Sequence, residues 1–264
     1  IVLIFLFVKK ESDLAIYMLI LSGTPLVGQA LIWAYLKRYL EPVAIKKINI
    51  KQHFKGIMVL FVPTIAVSIY RAFDKTMIGI FTDSSSENGY YEQADRIVQM
   101  CITVPTALST VMAPRIASNM AKKNIDMVNE YMYKTYEALL LIAMPLGVGI
   151  FCTSNMIVPW FLGEQYYKVI TLLKIFSIII PIIALSNATG AQYLIQAREE
   201  KVYTKSIFLG AIVNFGLNLL MIPRIASIGA AIASVIAEFS ILFYQMLYIC
   251  KKDRTLKLKQ LFNN

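Results

Sequence analysis

Residues 57–81 read IMVLFVPTIAVSIYRAFDKTMIGIF, a mainly apolar run whose second half contains Arg71, Asp74 and Lys75. A membrane-spanning helix needs about 20 apolar residues, because about 30 Å of hydrocarbon is crossed at 1.5 Å per residue. Positions i, i+3 and i+4 lie on one face of a helix. The stretch therefore predicts a membrane helix with three charged side chains on one face.

The whole chain has the composition of a membrane protein. Of its 264 residues, 58% are hydrophobic and 16% are charged, and the mean hydropathy is +0.62. A soluble domain has about 45–50% apolar and about 25% charged residues. The composition disfavours a disordered chain, a disulfide-rich secreted module and a nucleic-acid-binding domain. The three cysteines lie in separate apolar stretches without a C-x-x-C motif, so we expect neither disulfides nor a metal site.

Six further stretches are long and apolar enough to span a membrane, or come close to it. They are Leu14–Leu36, Tyr91–Ala117, Tyr136–Leu162, Tyr167–Ile195, Tyr203–Ile222 and Ile228–Cys250. Prolines within them are tolerated, because neighbouring helices and hydroxyl side chains can satisfy the freed backbone groups. The apolar run Ile1–Val8 resembles the end of another helix. We therefore predict an all-α polytopic membrane helix bundle of about seven spans plus a helix stub, and we expect the chain to be the C-terminal part of a longer protein.

Basic residues are concentrated in every second predicted loop. Residues 37–55, 121–135, 197–205 and 251–259 together hold 17 lysines and arginines. The alternate loops hold four, and the charged residues of 82–92 are all acidic. Cytoplasmic loops carry the excess of basic residues in membrane proteins. The pattern predicts a cytoplasmic C-terminus, and it explains the net charge of +10 without a nucleic-acid partner.

Charged side chains inside the predicted spans mark the candidate site. They are Arg71, Asp74 and Lys75 on one helix, and Asp95 and Arg96, with Gln99 beside them, at a similar depth on the next. A charge at the bilayer centre costs about 2.5–3.5 kcal/mol, so these groups should face the bundle interior or a watery cavity. One interpretation is a set of buried salt bridges that joins two helices. Because three cations meet two acids, we favour a cavity with surplus positive charge, which suits an anionic cargo.

Other polar residues in the spans allow two interpretations each. Lys174 either adds to the cationic lining or extends its long side chain to the membrane interface. Tyr70, Tyr90 and Tyr91 could offer ring faces to a sugar, but tyrosines at helix ends are usually interfacial, so we expect them at the membrane boundary.

The last two predicted helices should pack against each other. Only Pro223–Ser227 separates them, so we expect an antiparallel hairpin. Asn214, Asn218 and Glu238 lie among small residues on these helices, and hydrogen bonds between helices are the favoured interpretation. Glu238 lies near the middle of its span, so a role in proton transfer is the alternative, and it is our candidate for a coupling-ion site.

Several motifs of the chain resemble those of one family. They are Tyr70–Gly79 (YRAFDKTMIG), Gly89–Ala94 (GYYEQA), Val111–Arg115 (VMAPR), Leu217–Pro223 (LNLLMIP) and Ile228–Ala233 (IGAAIA). In order and spacing they are similar to the signature of polysaccharide-repeat flippases of the Wzx type, which export O antigen and capsule. The resemblance runs from about residue 57 to the C-terminus. Residues 224–227 depart from it, because the family usually has a glycine-bearing turn there.

The resemblance implies a domain organisation. These flippases belong to the multidrug/oligosaccharidyl-lipid/polysaccharide exporter superfamily, whose members have two six-helix lobes joined by a cytoplasmic linker and alternate their access between the two sides. On that template residues 1–36 end the first lobe, residues 37–56 form the basic linker, and residues 57–264 form the second lobe with a basic tail. A second lobe alone has one wall of the cavity, so we expect that it does not transport by itself.

The resemblance also implies a function. The expected activity is to flip undecaprenyl-pyrophosphate-linked oligosaccharides across the bacterial plasma membrane, without catalysis or a cofactor. The expected substrate-binding residues are Arg71, Lys75, Arg96, Lys174, Asp74, Asp95 and Gln99. Expected partners are the lipid-linked oligosaccharide, membrane lipids and other membrane proteins of polysaccharide assembly. A cation-coupled multidrug antiporter of the same superfamily and a membrane-embedded polysaccharide polymerase are the alternatives.

The predicted orientation can be tested by cysteine labelling. Single cysteines that replace Lys46 and Lys257 should both be protected in intact cells from a reagent that cannot cross the membrane, because both belong to cytoplasmic segments. A cysteine that replaces Ser85, in the acidic outer loop, should react in the same cells. Positions 46 and 257 on opposite sides of the membrane would contradict the topology.

Overall fold

The computed structural model describes residues 7, 9–10, 13–36, 50–82 and 84–252. In this part of the chain the regular secondary structure is helical and there is no strand. The chain divides into two compact units, residues 1–53 and 54–264. The predicted stub Ile1–Val8 except Phe7, residues 37–49 of the predicted linker, and the basic tail from residue 253 lie outside the described residues.

In the described part of the first unit one complete helix is present, α1 (Leu14–Leu36), and the next helix begins at Ile50. The side chains of α1 are apolar on all sides, and Leu31 and Trp33 are about two-thirds exposed or more within this unit (67% and 71%). A helix that is apolar all round is typical of a membrane span. The helix has the same bounds as the predicted span Leu14–Leu36.

The remaining helices follow in chain order. They are α2 (Ile50–Thr82), α3 (Ser85–Ala121), α4 (Ile125–Phe161), α5 (Tyr167–Phe176), α6 (Ile179–Asn187) and α7 (Glu200–Lys252), with a 3₁₀ turn (Glu164–Tyr166) before α5 and a π-helix (Ala188–Leu194) after α6. By length and composition α1, α3, α4 and α7 are each able to cross a membrane, and α5 with α6 makes a fifth, bent candidate. The protein is a polytopic membrane helix bundle, as predicted.

The helices extend past the apolar stretches at their polar ends. α2 begins at Ile50 instead of Ile57, α3 begins at Ser85, and α4 begins at Ile125. At the start of α4 the side chain of Asn124 accepts a hydrogen bond of 3.3 Å from the backbone N–H of Met127. Such a cap stabilises a helix in water, so hydropathy alone underestimated the length of these helices.

The long helix α7 is a hairpin of two arms. Residues 200–224 form the first arm and residues 227–252 the second, and between them Ala226 has φ 50°, in the left-handed region. Gln245 donates to Ser206 (2.9 Å) and Asn214 donates to Ser234 (3.5 Å), so the arms run antiparallel. The predicted hairpin is confirmed. Ala226 lies where the resembled family usually has a glycine-bearing turn, and glycine is the residue that adopts this conformation without strain.

The span predicted over Tyr167–Ile195, which contains Pro181, is a broken span made of two helical segments. The segments before Phe176 and after Ile179 differ in direction by 46°. Pro181 lacks the N–H that the Ser177 carbonyl would accept in a regular helix. This carbonyl lies against Gly147 of α4, where an added Cβ would stand 2.8 Å from the oxygen. The bend therefore depends on a glycine in the facing helix.

Replacing Gly147 tests this packing. Gly147→Ala should lower the free energy of unfolding by about 1–3 kcal/mol, because the methyl group collides with backbone. Gly149→Ala is the matched control two residues away: nothing lies within 4 Å of its added Cβ, and alanine favours the helix by up to about 1 kcal/mol. Thermal unfolding of the purified chain in detergent measures both. Equal midpoints for the two variants would contradict the role of the bend contact.

Candidate functional site

Asp74 is the centre of the polar core. Its carboxylate is 2% exposed and accepts hydrogen bonds from Asn218 Nδ2 (2.6 Å), Tyr91 Oη (2.9 Å) and Ser234 Oγ (3.0 Å). These donors come from α3 and from both arms of α7. A buried carboxylate is strongly unfavourable unless donors replace its water. The three neutral donors therefore attach α2 to α3 and to the hairpin at one point.

A second buried acid contacts α2 at Tyr70, about one helical turn before Asp74. Glu238, on the second arm of α7, is 8% exposed and accepts a hydrogen bond of 2.6 Å from the hydroxyl of Tyr70. Tyr70 is itself buried. The expectation that Tyr70 and Tyr91 lie at the membrane boundary was wrong, because each hydroxyl reaches an interior carboxylate that needs a donor.

Arg71 lies between these two acids and lines a cavity. The cavity has a volume of about 240 Å³ and is bounded by α2, α3, α6 and α7, with Gln99, Thr106 and Asn187 on its walls. Tyr70, which is also a hydrogen-bond partner, and the acids Glu238 and Asp95 interact with the guanidinium of Arg71. Among the described residues no carboxylate oxygen lies within the 4.0 Å of an ion pair from it. Arg71 therefore lies beside a cavity, and among the described residues no ion-paired acid occupies the hydrogen-bond donors of its guanidinium.

Lys75 and Arg96 are paired instead. The Lys75 ammonium forms an ion pair with Glu92 and lies 3.8 Å from Asp95, and Arg96 Nε donates to Glu92 at 2.9 Å. The side chain of Arg96 is 63% exposed. Glu92 bridges the two cations because it lies one turn before Arg96 on α3 and faces α2.

The expected surplus of positive charge is therefore wrong for this cluster. The prediction counted two acids for three cations and placed Glu92 in the outer loop, whereas α3 begins at Ser85 and includes Glu92. The buried acid Glu238 adds a further negative charge from a distant part of the sequence. Four acids thus accompany Arg71, Lys75 and Arg96, so the cluster has no net positive charge; they are Asp74, Glu92, Asp95 and Glu238. Among the described residues Arg71 is the cation of the three that has no ion-paired acid.

The other predicted site residues divide into two groups. Asp95 and Gln99 join the cluster: Gln99 Nε2 donates to Asp95 Oδ1 at 3.2 Å, and both line a small pocket of about 30 Å³ together with Arg71 and Asp74. Lys174 is elsewhere, with its ammonium 5.8 Å from the ring centre of Phe151 on α4. A cation over an aromatic face explains its position, and it is not among the residues that line the Arg71 cavity.

A group of hydrogen bonds at the predicted outer end of the bundle was not predicted from the sequence. Glu87 accepts from Lys168 (2.5 Å) and from the hydroxyl and the backbone N–H of Ser227 (2.6 and 3.2 Å). It joins the start of α3 to α5 and to the turn of the hairpin. No local pattern signals it, because its members are 81 and 140 residues apart in sequence.

Comparison with known proteins identifies the family. A model of the family described as "Polysaccharide biosynthesis protein" matches residues 14–171. The "Putative O-antigen transporter" of Escherichia coli K12 is 22% identical over 249 residues, 94% of this chain and 60% of that protein. The "Probable low-salt glycan biosynthesis flippase Agl15" of Haloferax volcanii is 23% identical over 84% of this chain and 48% of its own length.

The match to a third relative covers a smaller part of both chains. The "Lipid II flippase MurJ" of Bacillus subtilis is 21% identical over 58% of this chain and 29% of its own length. The chain thus spans between 29% and 60% of the lengths of these relatives. The family model covers more than half of the chain. The chain belongs to the polysaccharide biosynthesis protein family, the Wzx-type flippases that its sequence resembles.

Proposed function

We propose that the protein containing this chain flips lipid-linked oligosaccharides across the bacterial plasma membrane, and that the Arg71 cavity binds the phosphate-bearing part of the substrate. The names of the relatives, an O-antigen transporter and two flippases, support this class of cargo. The observation that carries the proposal is Arg71, an arginine inside the helix bundle that lines a polar cavity without an ion pair among the described residues.

The chemistry of Arg71 fits an anionic head group. A guanidinium presents a planar fork of donors that binds phosphate oxygens in pairs. The cavity is lined by Tyr70, Gln99 and Asn187 and also by the acid Glu238. The first three would give such an anion hydrogen bonds that hydrocarbon cannot offer. The resemblance supplies the identity of the lipid, undecaprenyl pyrophosphate. Lys75 and Arg96 would contribute if the phosphate competes with Glu92 for them.

The domain organisation belongs to the same proposal. Residues 1–36 would end the first lobe, residues 37–56 would be the cytoplasmic linker, and residues 57–264 would form the second lobe, with the C-terminus in the cytoplasm. The boundary between the two compact units, after residue 53, falls within this proposed linker, although residues 50–56 form the first turns of α2. Alternating access would move the site from one side to the other while the lipid tail stays in the membrane, without catalysis. Other membrane proteins of polysaccharide assembly are the proposed protein partners.

The two buried acids support coupling to a cation. Glu238 and Asp74 accept hydrogen bonds from neutral groups, and both face the small pocket beside Arg71. An ionisable group within a membrane span is a candidate for a proton or ion relay. We keep Glu238 as the coupling group of the flippase. The same acids also favour the second candidate function, a cation-coupled antiporter of the same superfamily, over the membrane polymerase.

Arg71 variants at the native chromosomal locus test the binding role. Arg71→Glu and Arg71→Gln should lower surface polysaccharide by roughly 10- to 100-fold, since a hydrogen bond to a charged group is worth about 1.5–3 kcal/mol. Lipid-linked repeat units should accumulate inside, and Arg71→Lys should retain part of the activity. Arg115→Gln, an exposed arginine on α3, is the matched control. Normal display in Arg71→Glu cells would contradict the proposal, and loss of drug resistance in place of display would favour the antiporter.

Glu238→Gln tests the coupling role. Glutamine keeps the size of the side chain and an acceptor for Tyr70, but it cannot ionise. We expect an unchanged thermal midpoint and unchanged binding of inorganic pyrophosphate by the purified chain, with display reduced at least tenfold in cells that carry the variant. Tyr70→Phe, which removes the hydrogen bond alone, is the control for a purely structural role. Full display with Glu238→Gln would exclude Glu238 as the coupling group.

A further inference from the structure

A second, larger cavity adjoins the Arg71 cavity. Its volume is about 450 Å³, within the range of about 300–1,000 Å³ typical of ligand pockets. It lies between α3 and the segment formed by the end of α6 and the π-helix, and Thr106 and Asn187 line both cavities. All of the described residues on its walls are uncharged. Polar groups come from Thr106, Ser109, Thr110, Asn187, Gln192 and Gln196.

Two buried polar atoms of this cavity have no partner in the described structure. Ser109 and Gln192 are 6% and 1% exposed, and neither Ser109 Oγ nor Gln192 Oε1 makes a hydrogen bond to the described residues. The amide nitrogen of Gln192 is held by Thr135 at 3.0 Å. An unsatisfied buried polar atom costs about 1–3 kcal/mol, so a side-chain rotation that brings either atom to a ligand in the cavity recovers that free energy.

The threonines of the cavity are arranged as acceptors. Thr106 Oγ1 donates to the carbonyl of Ile102 at 2.9 Å, and Thr110 Oγ1 donates to the carbonyl of Thr106 at 3.0 Å. Each hydroxyl has used its proton and keeps a lone pair. The amides of Asn187 and Gln196 add donors and acceptors on the opposite wall. The complementary ligand carries many groups that both donate and accept, and it has no charge.

The π-helix presents the opposite wall. The N–H of Ile195 bonds to the carbonyl of Gly190 at 3.1 Å, five residues earlier. Because a π turn is wider than an α turn, residues spaced four and five apart in sequence line the same cavity, as at positions 187, 191 and 196. From behind, Thr189 is hydrogen-bonded to Tyr136 at 2.9 Å. Single π turns in proteins occur frequently at functional sites, and this one is braced by α4.

We propose that this uncharged cavity is a carbohydrate subsite, which binds sugar residues of the substrate while the neighbouring Arg71 cavity takes the phosphates. The inference rests on the proposed function and deepens it. Hydroxyl groups of a neutral sugar match the acceptors of Thr106 and Thr110 and the unpartnered atoms of Ser109 and Gln192. An anionic group has no cation here among the described residues, and an acyl chain would leave these polar atoms unsatisfied.

Photo-crosslinking in cells distinguishes the two cavities. A diazirine-bearing amino acid at position 109 should capture carbohydrate, identified by mass spectrometry as sugar-containing adducts, at least tenfold more than the same group at position 118, which is exposed. Mild acid then cleaves the bond between sugar and phosphate: the adduct at position 109 should retain sugar, whereas the adduct at position 99, beside Arg71, should retain phosphate. Capture of phospholipid acyl chains at position 109, with substrate captured at position 99, would overturn the subsite and leave the proposed function intact. No substrate at either position would overturn both.

A pair of conservative substitutions gives a second measurement. Ser109→Ala combined with Thr110→Val should reduce surface polysaccharide about tenfold, while the purified chain should bind inorganic pyrophosphate as tightly as before and unfold at the same temperature, because neither residue lines the Arg71 cavity. Thr171→Val combined with Ser118→Ala changes two exposed residues of the same types and should have no effect. Normal display in the Ser109/Thr110 variant would overturn the subsite, whereas loss of pyrophosphate binding would show that the two cavities are one site.

Discussion

The structure depends on the burial of one carboxylate. Asp74 is placed at 2% exposure among apolar helices, where an unsatisfied charge would be prohibitive. Neutral donors from α3 and from both arms of α7 satisfy it, so three helical segments must meet around α2. Once they do, the positions of Tyr70 and Arg71 follow, since both precede Asp74 by about one turn. The hydrogen bonds that hold the helices around Asp74 therefore also place Tyr70 and Arg71 at the wall of the neighbouring cavity.

The polar interior changes in character along α3. Near the acidic loop, Glu92 and Asp95 accompany Lys75 and Arg96, and the charges are largely paired. Further along, Gln99 and then Thr106 face the cavities, and charge gives way to hydroxyl groups. A substrate with an anionic and a neutral polar part has this same order. The phosphate site and the carbohydrate subsite that we propose therefore follow one another along this helix.

Irregular backbone occurs where the cavities lie. The bend at Ser177 and the π-helix Ala188–Leu194 both belong to the broken span. Within a membrane, non-helical backbone is tolerated where it is buried in protein or lines a cavity. Gly147 allows the first irregularity, and Tyr136 braces the second. The broken span is thus the segment that shapes the walls around Arg71 and Thr106.

The sequence by itself determined the class of the protein, the approximate positions of its helices, the hairpin and the family, because hydropathy, loop charge and motif order are local properties. It also singled out Arg71, Asp74, Lys75, Asp95, Arg96, Gln99 and Glu238 as polar residues within the spans; Arg96 is exposed in the structure. Only the tertiary structure decided their partners. The pairing of Lys75 and Arg96 with Glu92, the distance of Lys174 from the Arg71 cavity and the burial of Tyr70 and Tyr91 depend on how helices rotate against one another. So does the meeting of Asp74 with Asn218 and Ser234, 144 and 160 residues away, because the free energy of a buried polar group is set by neighbours that no local pattern specifies.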